Sequence, residues 1–357
     1  MLILVCVAVS GFGQNLHIDR ANSKPPETSD PTFDGYLKTA FDTLMGKIDK
    51  EIETINARPE KLIRGFADAS VFASQGATQR AYGGYKIFAF TLGAMAGLRM
   101  PEDPFSIAKD PQIIADKMKQ EGDINAGVSA QVLNAQLGIN ASFLLKDLHL
   151  ALRFGYFDLK AVEDTGIEDV SFKTMNVGAL ASYPILGGKD MFFLKWRGVT
   201  ATSGFIFQNT KVGYNYKIEE QKVLISGGPA VLIADPRLVF DMNVNTYVVP
   251  LEINTSILLL RFINLNVGFG ADLAFGENKT VVKLDSTFDV EGAPVSITEK
   301  GYLSIEGGGS MAPSFFNPKI MFDLGFKLGP VILDVPVTYY FTNGNGLSVG
   351  ITFGVVW

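Results

Sequence analysis

The sequence predicts an all-β fold, an antiparallel transmembrane β-barrel of about 14 strands (12–14), preceded by an N-terminal helical plug or rim segment. Three observations carry that prediction. Over most of the 357 residues, apolar side chains recur at every second position. The faces opposite them are rich in Asn, Gln, Ser and Gly, where a water-exposed sandwich would show more Lys and Glu. The chain is 47% hydrophobic, with a mean hydropathy of +0.20. Yet no run of about 18 apolar residues is available for a helical span. High hydropathy without such a run is what strands alternating between lipid and lumen produce.

The N-terminus reads as an export signal over residues 1–13. Residues 2–9 form an apolar core, and Gly11 and Gly13 place small residues at the two positions a signal peptidase checks, so a mature chain starts at Gln14. The usual basic residues ahead of the core are missing. Cys6 is the one cysteine and falls in the removed segment, which leaves no thiol and no disulfide. A net charge of −6 argues against a nucleic-acid partner.

Residues 14–82 read as a tail followed by a plug or hatch. The stretch 14–34 is polar and Pro-rich. Leu37, Phe41, Leu44, Met45, Ile48, Ile52 and Ile55 then recur at helical spacing, with Lys47, Asp49, Lys50, Glu51 and Glu53 opposite them. Pro59 ends the pattern. This helix, marked by Phe41, Leu44, Ile48 and Ile52, is expected in the lumen or at the periplasmic rim.

From residue 83 to 357 the period is two, as a barrel wall requires. In 85–98, Phe88, Phe90, Leu92, Ala94, Ala96 and Leu98 oppose Ala89, Thr91, Gly93 and Gly97, small residues that leave room for a plug or ligand. The pattern continues in 133–144, 147–157, 237–248, 263–275, 319–328 and 331–341. It recurs less regularly in 169–183, 190–207, 211–219, 251–260, 280–289 and 295–305. His149, Arg153, Asp241, Asn243, Asn264, Asn266 and Asp272 are assigned to the lumen face. Asp147, Asp158, Asp323 and Asp334 join them among the charged positions. The long connection 99–126 is expected outside the cell.

The last strand, 347–357, puts Leu347, Val349, Ile351, Phe353, Val355 and Trp357 on one face. It resembles the closing strand of bacterial outer-membrane barrels, and the resemblance implies that Phe353 and Trp357 form the signal for the barrel-assembly machinery. The whole organisation, signal, helical segment and about fourteen strands, is similar to the fatty-acid-transporter barrels and to spirochaete surface barrels of this size. That likeness implies outer-membrane localisation among its lipids, and passive uptake of a small hydrophobic or amphipathic solute. The Asn-Pro-Ala hatch motif of the transporters is absent, and residues 66–75 are the nearest candidate region. Two alternatives remain: a surface-exposed barrel binding a host or matrix protein through its outer loops, and a soluble periplasmic lipid-binding β-protein.

Catalysis and metal binding find no machinery in the sequence. The chain has two His, at 17 and 149, and no thiol after residue 13, too few for a His/Cys metal site. No catalytic, metal or cofactor residue is therefore assigned. A Ser–His pair would need His149, with Ser142 on the neighbouring strand, but His149 shares its face with Asp147 and Arg153.

Overall fold

A computed structural model describes residues 17–56, 61–102, 106, 109, 126–162, 167–217, 220–225, 230–292, 295–342 and 345–357. The expected signal (1–13), Cys6, Pro59 and most of 99–126 lie outside them. In chain order the elements begin with β1 (His17–Lys24), β2 (Glu27–Thr28), α1 (Pro31–Asn56), α2 (Lys61–Ala73) and a 3-10 turn at Arg80–Tyr82. Next come β3 (Phe88–Met100), β4 (Gly127–Asn140), β5 (His149–Val162), β6 (Ile167–Leu186), β7 (Lys189–Asp190), β8 (Leu194–Lys217) and β9 (Gln221–Leu224). The chain ends with β10 (Val231–Leu259), β11 (Ile263–Glu291), β12 (Ile297–Glu299), β13 (Gly301–Met311), β14 (Phe316–Leu328), β15 (Val331–Tyr340) and β16 (Asn345–Val356).

One antiparallel sheet takes in 14 strands, in line with the fold class expected. Its distribution adds something the count does not. The strands β3, β4, β5, β6, β8, β10, β11, β14, β15 and β16 pair in sequence, and β16 returns to β3 to close a ring. The wall of the ring is thus ten-stranded. The remaining members attach elsewhere: β7 on β8, β9 on the far end of β10, and β13 then β1 on the far half of β11.

The reason lies in β10 and β11, each of 29 residues, about three times the 9–11 needed to cross a bilayer. On β11 the outward face reads Ile263, Leu265, Val267, Phe269, Ala271, Leu273, Phe275, and then Glu277, Lys279, Val281, Lys283, Asp285, Thr287, Asp289, mostly polar and charged. The paired strand changes at the same level, since Tyr247 lies opposite Phe275 and Asn245 opposite Glu277. On β8 the outward change comes between Phe207 and Asn209, and on β5 between Tyr156 and Asp158. Inner faces change in the opposite sense. Asn264, Asn266 and Asp272 are buried on the lower part of β11, and Val282, Phe288 and Val290 on its upper part. Residues changing together on neighbouring strands define a plane, the outer edge of the lipid-facing band. This lipid-facing wall makes the protein an outer-membrane barrel.

Above that plane the sheet becomes a platform with an apolar inner face. Helix α1 lies on it, with Leu37, Phe41, Met45 and Ile48 packed against Leu232, Phe288, Leu303 and Ile305. The Phe41 and Phe288 rings meet edge to face, with centroids 5.2 Å apart. The helix expected in the lumen or at the periplasmic rim is therefore on the platform, at the opposite end from the periplasmic turns. An apolar stripe requires an apolar partner, and the lumen wall is polar while the platform offers one. Leu44 packs beside the same cluster; the side chain of Ile52 lies outside the described residues.

The same switch corrects two lumen assignments. Asp241 is exposed and Asn243 half-buried on the outer face, while Leu238, Met242 and Val244 point inward. These positions stand above the lipid plane, where water lies outside and the helices inside. Asp158 is likewise exposed on the outer face, and Asp147 sits in a turn with φ 61°.

Connections of eight, three and two residues join β4–β5, β10–β11 and β14–β15 at one end, while β3–β4, β8–β10 and β11–β14 are joined by longer segments at the other, which marks the first end as periplasmic. The chain thus enters the lumen from the platform side, through α2, and leaves it at residues 83–87 to begin β3. There the Trp357 carbonyl accepts hydrogen bonds from the Lys86 and Ile87 amides, both at 3.0 Å. Phe353 and Trp357 face outward and are exposed.

Candidate functional site: the plugged lumen

Small and polar side chains dominate residues 64–82, and nearly all of them are buried inside the ring. Smallness lets α2 lie flat against β3 and β4. A Cβ added to Gly97 would meet the Ala69 carbonyl oxygen at 2.4 Å, so the two backbones touch there. The polar groups meet the lumen wall. Asp68 accepts from the Ser314 amide (2.6 Å) and hydroxyl (3.0 Å) and faces Arg99 at 3.6 Å. Gln208 of β8 donates to Ser70 (3.0 Å), and the Ser70 and Thr246 hydroxyls are 3.4 Å apart. The Ser74 carbonyl accepts from both Arg153 and Asn176 at 3.0 Å.

The centre of the plug is ionic. Arg80 reaches Glu252 (3.3 Å) and Asp323 (3.4 Å), and donates to Thr338 (3.2 Å). Lys319 bridges Glu252 (2.6 Å) and Asp272 (2.7 Å). Asp272 also accepts from Gln75 (2.9 Å) and Tyr340 (3.2 Å), and Asn266 donates to Asp323 (2.8 Å). Buried charges persist only when paired in this way. Beside the network, Phe72 stacks on Tyr340 with centroids 4.0 Å apart.

The structure therefore brings five of the seven lumen candidates to the plug. Asp272 and Asn266 belong to the ionic centre. Arg153 holds Gln136 (2.6 Å) and Ser74, and Asn264 donates to the Ala81 carbonyl (2.9 Å). A His149 ring nitrogen is 3.0 Å from the Tyr85 carbonyl oxygen, while the Ser142 hydroxyl donates to Asn140. Sequence reasoning missed Arg80, Asp68, Gln75, Glu252 and Lys319. The available signal was the small-residue run 66–77 beside the glycines of β3.

Little space is left. A cavity of about 70 Å³ remains, bordered by Arg80, Tyr85, His149, Arg153 and Glu252, room for a few waters and no acyl chain. At the periplasmic end a wider vestibule of about 730 Å³ opens, and it shares Gly83, Gly84, Tyr85 and Arg197 with the cavity. The polar lumen and apolar outer wall are the reverse of a soluble lipid carrier, whose interior would be apolar.

A family model described as Lsa36-like matches residues 26–356. No curated protein matches the chain. Solved structures similar to it include the toluene transporter TbuX of Ralstonia pickettii, 9% identical, covering 83% of this chain and 99% of that one with a TM-score of 0.25. The Pseudomonas putida toluene transporter TodX is 8% identical over 79% and 98%, TM-score 0.23. The translocator domain of the Neisseria meningitidis autotransporter NalP is 8% identical over 77% and 90%, TM-score 0.30. At these identities and scores none of them lends this chain a substrate.

Proposed function

The chain belongs to the Lsa36-like family, and from that premise and its plugged lumen we propose passive uptake of small hydrophobic or amphipathic solutes across the outer membrane. The observation that carries this reading is a path already half built. The vestibule and the inner cavity lie on either side of Gly83, Gly84, Tyr85 and Arg197, which line both, so a wall of few residues stands between the periplasmic mouth and Arg80 and Glu252. Toward the outside the way is filled by α2 and the residues that follow it. That segment has no strand pairing to the wall and is held by side-chain hydrogen bonds, ion pairs and packing. A solute passes when this segment shifts, and a filled lumen excludes ions meanwhile. Planar-bilayer recordings test the closed state: the intact protein is expected to be nearly silent, and a large steady conductance would contradict it.

A second reading has its own support in the platform. The outer halves of β10, β11 and β13 build an apolar core with α1, more structure above the lipid than a conduit needs. On this reading the exposed platform binds a partner at the cell surface. Surface binding that survives complete locking of the plug would favour it over uptake.

A further inference from the structure

The periplasmic mouth of the lumen holds an unbalanced set of cations. Lys195 and Arg197 of β8, Lys327 of β14, Arg261 of the β10–β11 turn and Lys86 line the vestibule, and Asp190 is the one acidic side chain among its lining residues. Asp190 pairs with Lys195 at 3.1 Å. Arg197 donates from Nη1 to the Gly83 carbonyl at 3.2 Å, while its buried Nε has no partner. Like charges gathered at one opening repel, and an anion relieves them.

The backbone points the same way. Leu260 and Arg261 both have positive φ, 49° and 65°, in the three-residue connection between the paired Leu259 and Ile263, where a left-handed position ordinarily falls to Gly or Asn. An arginine kept in the left-handed region signals a demand on its side chain rather than on the turn. Around the mouth the turns expose apolar groups, with Phe143 77%, Phe192 94% and Leu260 61% exposed. Girdles of aromatic side chains flank the lipid band of such barrels at both interfaces, which puts the cationic mouth at headgroup depth in the inner leaflet.

We infer that the vestibule binds the headgroup of an anionic phospholipid, its phosphate held by Arg197, Arg261 and Lys327 beside the apolar Met191 and Leu258 of the same wall. Basic pockets at membrane surfaces hold such headgroups by the same chemistry. The site does not need the plug to open, so it stands or falls apart from the uptake reading.

The test uses the full-length protein in a non-ionic detergent, titrated calorimetrically with dihexanoyl phosphatidylglycerol, dihexanoyl phosphatidylcholine and inorganic phosphate. One phosphatidylglycerol should bind per barrel, at least about tenfold tighter than phosphatidylcholine and more weakly as salt rises. Arg261→Asn and Lys327→Gln should each weaken it severalfold, while Lys283→Gln on the platform's outer face changes nothing. Arg261→Asn should also raise the thermal midpoint, because Asn tolerates the left-handed turn. Lost binding with gained stability is a pairing that a purely structural arginine does not give. Equal affinity for the two lipids, or full binding in both variants, overturns the proposal. Inorganic phosphate binding as tightly as phosphatidylglycerol overturns the lipid and leaves a small-anion site. If Lys327→Gln does not fold, Arg261→Asn decides alone.

Discussion

Arg80 concentrates the energetics of the plug in one side chain. It faces Glu252 and Asp323 in a fully buried setting, with Lys319 as the nearest other cation on Glu252. Removing it strands Asp323 with the single Asn266 amide for support. Arg80→Met should therefore destabilise the protein by about 3–5 kcal/mol, read as a lower temperature for the shift between folded and unfolded bands on a denaturing gel. Adding Asp323→Asn should restore part of the loss, since the uncompensated charge goes with it. An Arg80→Met midpoint equal to wild type would mean the network is not what seats the plug. At this scale the alternation made His149, Arg153, Asn264, Asn266 and Asp272 legible, because inside the lipid band polarity and direction coincide. It failed at Asp241 and Asn243, where the same periodicity continues but the surroundings have exchanged sides.

The two helices ahead of β3 do different work. Helix α1 announces itself by a stripe of large apolar residues, and that stripe is what disqualifies it from a polar lumen. Helix α2 has the small and polar surface that fits between glycine-lined strands, a pattern that reads from sequence as a weak helix or a loop. The elements thus make opposite predictions. Deleting residues 31–56 should leave the bilayer conductance unchanged while exposing the platform's apolar face, seen as new protease cleavage between 277 and 311. Gly97→Leu should do the reverse, since its side chain must displace the Ala69 backbone. It should raise conductance in a barrel that still migrates as a folded band. Conductance that rises on deleting 31–56 would return α1 to the role of gate. The strands themselves were legible wherever lipid touches them, whereas β13 and β1 pair on the far half of β11, outside the ten-stranded ring, and no local pattern announces that.

Across the whole molecule, one plane divides wall from platform: apolar side chains face out below Tyr247 and Phe275, and polar and charged ones predominate above, from Asn245 and Glu277 onward. Single cysteines in a Cys6→Ser background can map it. A cysteine at 265, 267 or 269 should react with a lipid-soluble maleimide only, and one at 279 or 283, on the same face of the same strand, with a water-soluble one. Uniform labelling along that face would remove the plane and with it the distinction between wall and platform. In the uptake proposed for the lumen, solutes pass only when the plug moves. Ser70 on α2 and Thr246 on β10 are close enough, with hydroxyl oxygens 3.4 Å apart, for a cysteine pair to tether plug to wall. Uptake of a small hydrophobic fluorophore by cells displaying Ser70→Cys/Thr246→Cys is the decisive measurement. Uptake should stop when the pair is oxidised and return on reduction, whereas uptake indifferent to the tether would rule out passage past a moving plug.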